Sequence, residues 1–364
     1  MHVLIVMGTR PEIIKLAPIA WAMRRNHPEH ELTVVLTGQH EHHARELCAE
    51  LDVPFDHDLG IRVDRPAVLL GRATEALDEL IRERTPDVVC VQGDTTSTLA
   101  GALAGFYSML PVAHVEAGLR TGDLSAPFPE EGNRKIIGAF GAMHFAPTEI
   151  AVKRLLAEDV DPETIVLAGN TVVDAVRFVA SSVTPAERMG EVHAIVTIHR
   201  RENWGEPFEV MCRAVRGLVE SRPELGVSFV MHPNPALQER ARAVLGEVER
   251  VRLLQPMGYR SFVGLLSSAD VILTDSGGIQ EEAVSLEKPL VVLRRSTERT
   301  EGVDAGVAIL AAPGAVGLGD SVDEALALDL SADTDLYGDG HAGERIARAL
   351  VTGRIWEAEW VPQR

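Results

Sequence analysis

The chain has 364 residues, 46% hydrophobic and 24% charged, an ordinary globular composition with room for about two domains. Lys and Arg number 35 and Asp and Glu 54, a net charge of −19, which argues against nucleic acid and against anionic membranes as partners. Cys48, Cys90 and Cys212 lie far apart with no CxxC, so neither a zinc site nor a disulfide framework is signalled.

The opening HVLIVMG is an apolar run too short to span a membrane, with no basic leader and no small-residue cleavage site. It reads as a core strand of a cytosolic protein. ELTVVLTG, DVVCVQG and PVAHVEAG follow as strands, with helical stretches such as AVLLGRATEALDELIRER between them. The pattern restarts near TIVLAGNTVVDAV, residues 164–176, and the polar SSVTPAERMGE comes next. HAIVTIH, GVSFVMHP, DVILTDSGG and PLVVLR are the strands of the second half, and FEVMCRAVRGLVES is one of its helices. ERIARALVTGRIWEAEWVPQR reads as a closing helix and tail. Continuous apolar strands point to a parallel sheet covered on both faces, and strand–helix alternation to βαβ units. The expectation is an α/β protein of two Rossmann-like, doubly wound domains, 1–168 and 169–343, with a cleft between them. The helix of about 344–364 is expected to pack back on the first.

In open parallel sheets, ligands sit beyond the carboxyl ends of the strands. The unusual polar clusters fall there. GTRPEIIK carries Arg10, Glu12 and Lys15, QGDTTST carries Asp94, and HVEAGLRTGD carries His114, Glu116 and Arg120. FPEEGNRK carries Glu130, Glu131 and Arg134, TIHRREN carries His199 and Arg200, and MHPNP carries His232. Plainer readings exist for each. A helical lysine such as Lys15 is usually solvated, Asp94 could cap a helix starting near Ser97, and Glu130 and Glu131 could form a solvated face. Glu116, at the end of an apolar run, is partly buried and so needs a partner or a task. DSGG, residues 275–278, closes a strand and opens an acidic helix. It is either a tight turn or an anion seat, where Ser276, Gly277 and Gly278 let phosphate reach helix amides. No GxGxxG follows a strand and no GxxxxGK[ST] is present, which disfavours Rossmann nicotinamide binding and P-loop phosphoryl transfer.

In order along nearly the whole chain, GTRPEIIKLAP, QGDTTST, HVEAGLRTGD, PFPEEGNR, GNTVVDA, HRREN, SGGIQEEA and TERTEG resemble the non-hydrolysing UDP-N-acetylglucosamine 2-epimerases. The resemblance implies the glycosyltransferase-B fold, a homodimer, and reversible inversion at carbon 2 of UDP-GlcNAc to give UDP-ManNAc. It implies no cofactor, neither NAD nor an obligatory metal. UDP is eliminated to leave 2-acetamidoglucal and returns after a proton reaches the other face of carbon 2. That proton is weakly acidic, so the site must stabilise the leaving diphosphate as well as supply acid–base groups. By motif, Asp94, Glu116 and Glu130 are the carboxylates, with His199 beside them. Arg10, Ser276, Gly277 and Gly278 take the phosphates, and Glu282 the ribose hydroxyls. Lys15, Arg134 and Arg299 make sugar, carboxylate or phosphate contacts, and Phe262 belongs to the substrate-binding set.

Many members of that family are activated by UDP-GlcNAc bound beside the substrate. In GQHEHH, Gln39 and His40 are present, but His43 stands where a second glutamine belongs. Arg65 is followed by Pro66, which offers neither a side-chain amide nor a backbone donor. Arg200 and His232 keep their places. The effector site reads as degraded, and activation is not expected. Two other readings keep the scaffold: a hydrolysing 2-epimerase releasing ManNAc and UDP, and a sugar transferase. A third is a non-catalytic sugar-nucleotide sensor. The carboxylates around GDTT, HVEAG and FPEEGNR favour proton transfer at carbon 2 over sugar transfer and over a sensor, and leave the hydrolysing outcome open.

Overall fold

A computed structural model describes residues 1–362 apart from 39–40, 126, 201–202, 296, 298, 313–316, 329 and 331–334, and describes no side chain at 41–43. The chain forms two compact units, Met1–Ala175 with Tyr337–Arg364, and Val176–Leu336.

The first unit holds a parallel sheet of β1 (His2–Met7), β2 (Glu31–Leu36), β3 (His57–Asp58), β4 (Val88–Gln92), β5 (Val112–Val115), β6 (Met143–Ala146) and β7 (Ile165–Leu167). The strand order is β3-β2-β1-β4-β5-β6-β7. TIVLAGN thus closes this sheet as its edge strand. The helices are α1 (Arg10–Asn26), α2 (Glu41–Glu50), α3 (Pro66–Arg84), α4 (Thr96–Tyr107), α5 (Glu130–Gly138) and α6 (Glu149–Ala157), and the boundary between the units falls within α7 (Thr171–Ala180). Thr9 and Glu12 form a capping box at the start of α1, which satisfies otherwise orphaned amides. α1 is buried from Glu12 to Met23, because α14 (Ala342–Thr352) packs on it. A Cβ on Gly343 would meet Pro18 Cβ at 2.5 Å. The chain then crosses β7, where Trp360 N donates to Leu167 O at 2.6 Å.

The second unit is built alike. Its strands are β8 (Val192–Thr197), β9 (Leu225–Val230), β10 (Val251–Leu254), β11 (Val271–Thr274), β12 (Leu290–Val292) and β13 (Ala308–Leu310). They lie parallel in the order β10-β9-β8-β11-β12-β13. Its helices are α8 (Glu206–Ser221), α9 (Pro235–Leu245), α10 (Tyr259–Ser267), α11 (Gly277–Ser285), α12 (Thr300–Asp304) and α13 (Leu318–Leu326). Alternate strand residues feed two apolar clusters: Ala194, Val196 and Phe229 with Phe208, and Ile195, Ile272 and Val292 with Leu265. Burial on both faces explains why these strands read as unbroken apolar runs. Both units are doubly wound Rossmann-like sheets, the fold class expected from the sequence. Each reverses direction once, between β1 and β4 and between β8 and β11, and ligand crevices form at such switch points.

Candidate active site

At the first switch point, Glu12 is a buried hub. Its Oε2 accepts from Gly8 N at 2.6 Å and from Thr9 N. Its Oε1 accepts from Thr95 Oγ1 at 2.5 Å and Thr98 Oγ1 at 2.6 Å. One carboxylate therefore ties the loop after β1 to the loop after β4. Burial pushes the Glu12 carboxyl above its ordinary value, against the pull of these four bonds. The approach is close: a Cβ on Gly8 would lie 2.3 Å from Ser97 Cβ.

Beside it, β4 and β5 end in register, Gln92 against Val115. Glu116 follows with φ +61. A glutamate in the left-handed region carries backbone strain, and such strain clusters at functional sites. Glu116 Oε2 accepts from Lys15 Nζ at 2.9 Å and from Gln92 Nε2. Lys15 is only 5% exposed and Glu116 likewise 5%, so neither charge is met by solvent and each needs the other. Arg134, also buried, donates Nη1 to Glu116 O at 2.5 Å and Nη2 to Asp94 Oδ2. Asn133 Nδ2 holds Asp94 O at 2.8 Å. Two cations and two carboxylates thus alternate over the ends of β4 and β5. His114 Nε2 bonds Gly93 O at 2.7 Å; burial first, and Arg134 next, hold its ring far below the ordinary histidine range. A neutral His114 therefore donates from Nε2, bracing the loop that carries Asp94.

In the second unit, Asp275 plays the part of Glu12. Wholly buried, it accepts His199 N at 2.8 Å on Oδ1, and Arg200 N at 3.0 Å and Asn203 Nδ2 at 2.7 Å on Oδ2. It thereby ties the loop after β8 to the turn after β11. His199 lies against His232, ring centroids 5.5 Å apart, and Trp204 meets His232 edge-on at 5.3 Å. Burial lowers the His232 ring below its ordinary value, and Asp275 opposes this. Ser276 is the N-cap of α11, and among the described residues no side chain caps that helix. A Cβ on Gly278 would meet nothing within 4 Å. The contrast with the first unit is informative. The amides before α1 are taken by Glu12, and Thr95 Oγ1 accepts from Thr98 N at the start of α4. Of these three helix starts, only that of α11 combines an uncapped end with open space for an anion.

The remaining expected residues fall as follows. Arg10 is exposed in the first turn of α1, and Glu130 is half-buried as the first residue of α5. Glu282 is buried on α11. Arg299 Nε pairs with the neighbouring Glu281 Oε1 at 3.0 Å. Phe262 is buried on α10 and packs into an apolar cluster. Of the effector positions, Gln39, His40 and the His43 side chain lie outside the described residues. Arg65 is the exposed N-cap of α3 and Pro66 its first residue. Three plainer readings fail. Lys15 is buried, its ammonium turned onto Glu116 over the ends of β4 and β5. Thr95, not Asp94, caps α4. Glu131 is buried, accepting Thr121 N at 3.0 Å and Gly122 N at 3.2 Å. Sequence reasoning missed Gln92, Asn133 and Asp275 as working residues. Only Asp275, next to the glycine turn, carried a visible signal.

A family model described as UDP-N-acetylglucosamine 2-epimerase matches residues 22–351. The UDP-N-acetylglucosamine 2-epimerase of Escherichia coli (strain K12) is 40% identical over 375 residues, 98% of this chain and 100% of that protein. That of Bacillus subtilis (strain 168) is 41% identical, over 96% of this chain and 95% of that protein. The crystal structure of UDP-GlcNAc 2-epimerase from Neisseria meningitidis bound to UDP-GlcNAc matches with a TM-score of 0.87 at 34% identity, over 97% of this chain and 100% of that one.

Proposed function

The chain belongs to the UDP-N-acetylglucosamine 2-epimerase family, and from that premise we propose that it interconverts UDP-GlcNAc and UDP-ManNAc. The C1–O bond breaks with its electron pair leaving on UDP, a base takes the carbon 2 proton, and a C1–C2 double bond forms. Return of UDP to carbon 1 with a proton on the opposite face of carbon 2 completes the inversion. The observation that carries the reading is Glu116, strained, buried, and held by Lys15 and Gln92. Lys15 and Gln92 both donate to its Oε2, which orients the carboxylate for proton transfer.

Asp94, Glu130 and His199 complete the acid–base set, and inversion needs groups serving both faces. We assign the diphosphate to Arg10 and the Ser276–Gly278 turn. An uncapped α11 supports this, since departing negative charge is stabilised by preorganised amides. Glu282 takes the ribose, and Lys15, Arg134 and Arg299 set the charge balance, with Phe262 among the substrate contacts. The effector residues Arg65, Pro66, Arg200 and His232 are assigned no obligatory activation. We place the protein in the cytoplasm as a homodimer. Phe106 and Tyr107 at the end of α4, Met109 in the turn after it and Ile136 on α5 are exposed apolar side chains, Met109 92% exposed, and exposed apolar patches mark association surfaces. Glu116→Gln tests the central assignment. UDP affinity should stay near wild type while turnover falls on the order of 10³-fold; near-normal turnover would sink it.

A further inference from the structure

We propose that Gln92 is a positioning residue for proton transfer: with Lys15 it holds the Glu116 carboxylate in one plane and one charge state. The inference rests on the assignment of proton transfer to Glu116. Gln92 is the last residue of β4, after four apolar ones, and only 3% exposed. A buried strand end has no need of an amide for packing. Its Nε2 points at the same oxygen that Lys15 reaches, Glu116 Oε2. The two donors differ in kind. Lys15 supplies charge from a flexible stem, whereas the planar amide supplies direction from a strand fixed in the sheet on both sides, by β1 and β5. The main chain of Glu116 is fixed separately, by Arg134 on its carbonyl. Gln92, like Lys15, therefore acts on the side chain rather than the backbone, and of the two it supplies the fixed direction.

The consequence is measurable in the acid limb of the pH–rate profile, where the base becomes protonated and activity falls. Gln92→Leu removes one donor to the charged form, so the limb should move up by about one pH unit. Gln92→Glu sets a second carboxylate against Glu116. The pair then shares protons, and the limb should move further still. UDP affinity and the melting temperature should change little in Gln92→Leu, whose side chain nearly matches the lost volume. The order wild type, Gln92→Leu, Gln92→Glu is the signature; a merely structural role lowers activity equally at all pH values and produces no such order. An acid limb unmoved in both variants overturns the inference. Glu116→Gln is measured alongside. If that variant is inactive while the Gln92 profiles match wild type, only the positioning role falls. If Glu116→Gln turns over normally, the assignment of Glu116 falls first.

Discussion

Asp174 makes the stability of the first unit depend on pH, and Asp174→Asn should remove its share of that dependence. The residue lies on α7, 9% exposed, and its Oδ1 accepts Gly343 N at 2.7 Å at the start of α14. A carboxylate at a helix N-terminus is normally favoured. Here burial outweighs the helix amides and Arg345, and the carboxyl is raised from 3.8 to about 6. Between roughly pH 4 and pH 6 the native state holds a proton that the unfolded chain has released, so this contribution is full below that window and lost as the pH rises through it. The lift of about two units corresponds to ~3 kcal/mol. Asparagine keeps the acceptor for Gly343 and never ionises. The variant should match wild type at about pH 4 and be more stable by up to ~3 kcal/mol near pH 7.5. Urea denaturation followed by tryptophan fluorescence at the two pH values measures this, since Trp356 and Trp360 sit on the returning segment. An equal difference at both pH values, or a variant less stable at the higher one, refutes the argument.

Gly278→Val should fold normally, because a side chain there meets open space, yet weaken UDP binding roughly tenfold or more by filling the approach to the α11 amides. Calorimetric titration with UDP decides, and unaltered affinity removes the turn from the binding site. Arg134→Leu strips the cation from Asp94 and the donor from the Glu116 carbonyl. We expect a loss of about 3 kcal/mol in stability and a fall in turnover on the order of 10²-fold or more; retained activity would contradict the charge quartet. Initial rates with UDP-GlcNAc should be hyperbolic, and UDP-ManNAc should react without added UDP-GlcNAc. A sigmoidal curve would restore the effector to the mechanism.

The fold was legible because parallel strands buried on both faces must be apolar throughout, and HVLIVMG or DVVCVQG admit little else. β3 and β6 were harder: one is two residues long, and the other, MHFA, carries a histidine. Helix starts were legible where chemistry is local, as in the capping box of Thr9 and Glu12. The site was legible only as clusters at strand ends. Lys15 looks solvated until Glu116, far along the chain, meets its ammonium at the strand ends. Nothing in HVEAG announces that Glu116 adopts a left-handed backbone, which glutamate rarely does. Gln92 and Asp275 act through side-chain geometry set by strand order, and strand order has no local signature.

The central claim is inversion at carbon 2 through proton exchange. The direct measurement is proton NMR of the purified protein with UDP-GlcNAc in deuterated water, without added metal or NAD. The account predicts UDP-ManNAc carrying deuterium at carbon 2. Free ManNAc with UDP, or an unchanged spectrum, would contradict it.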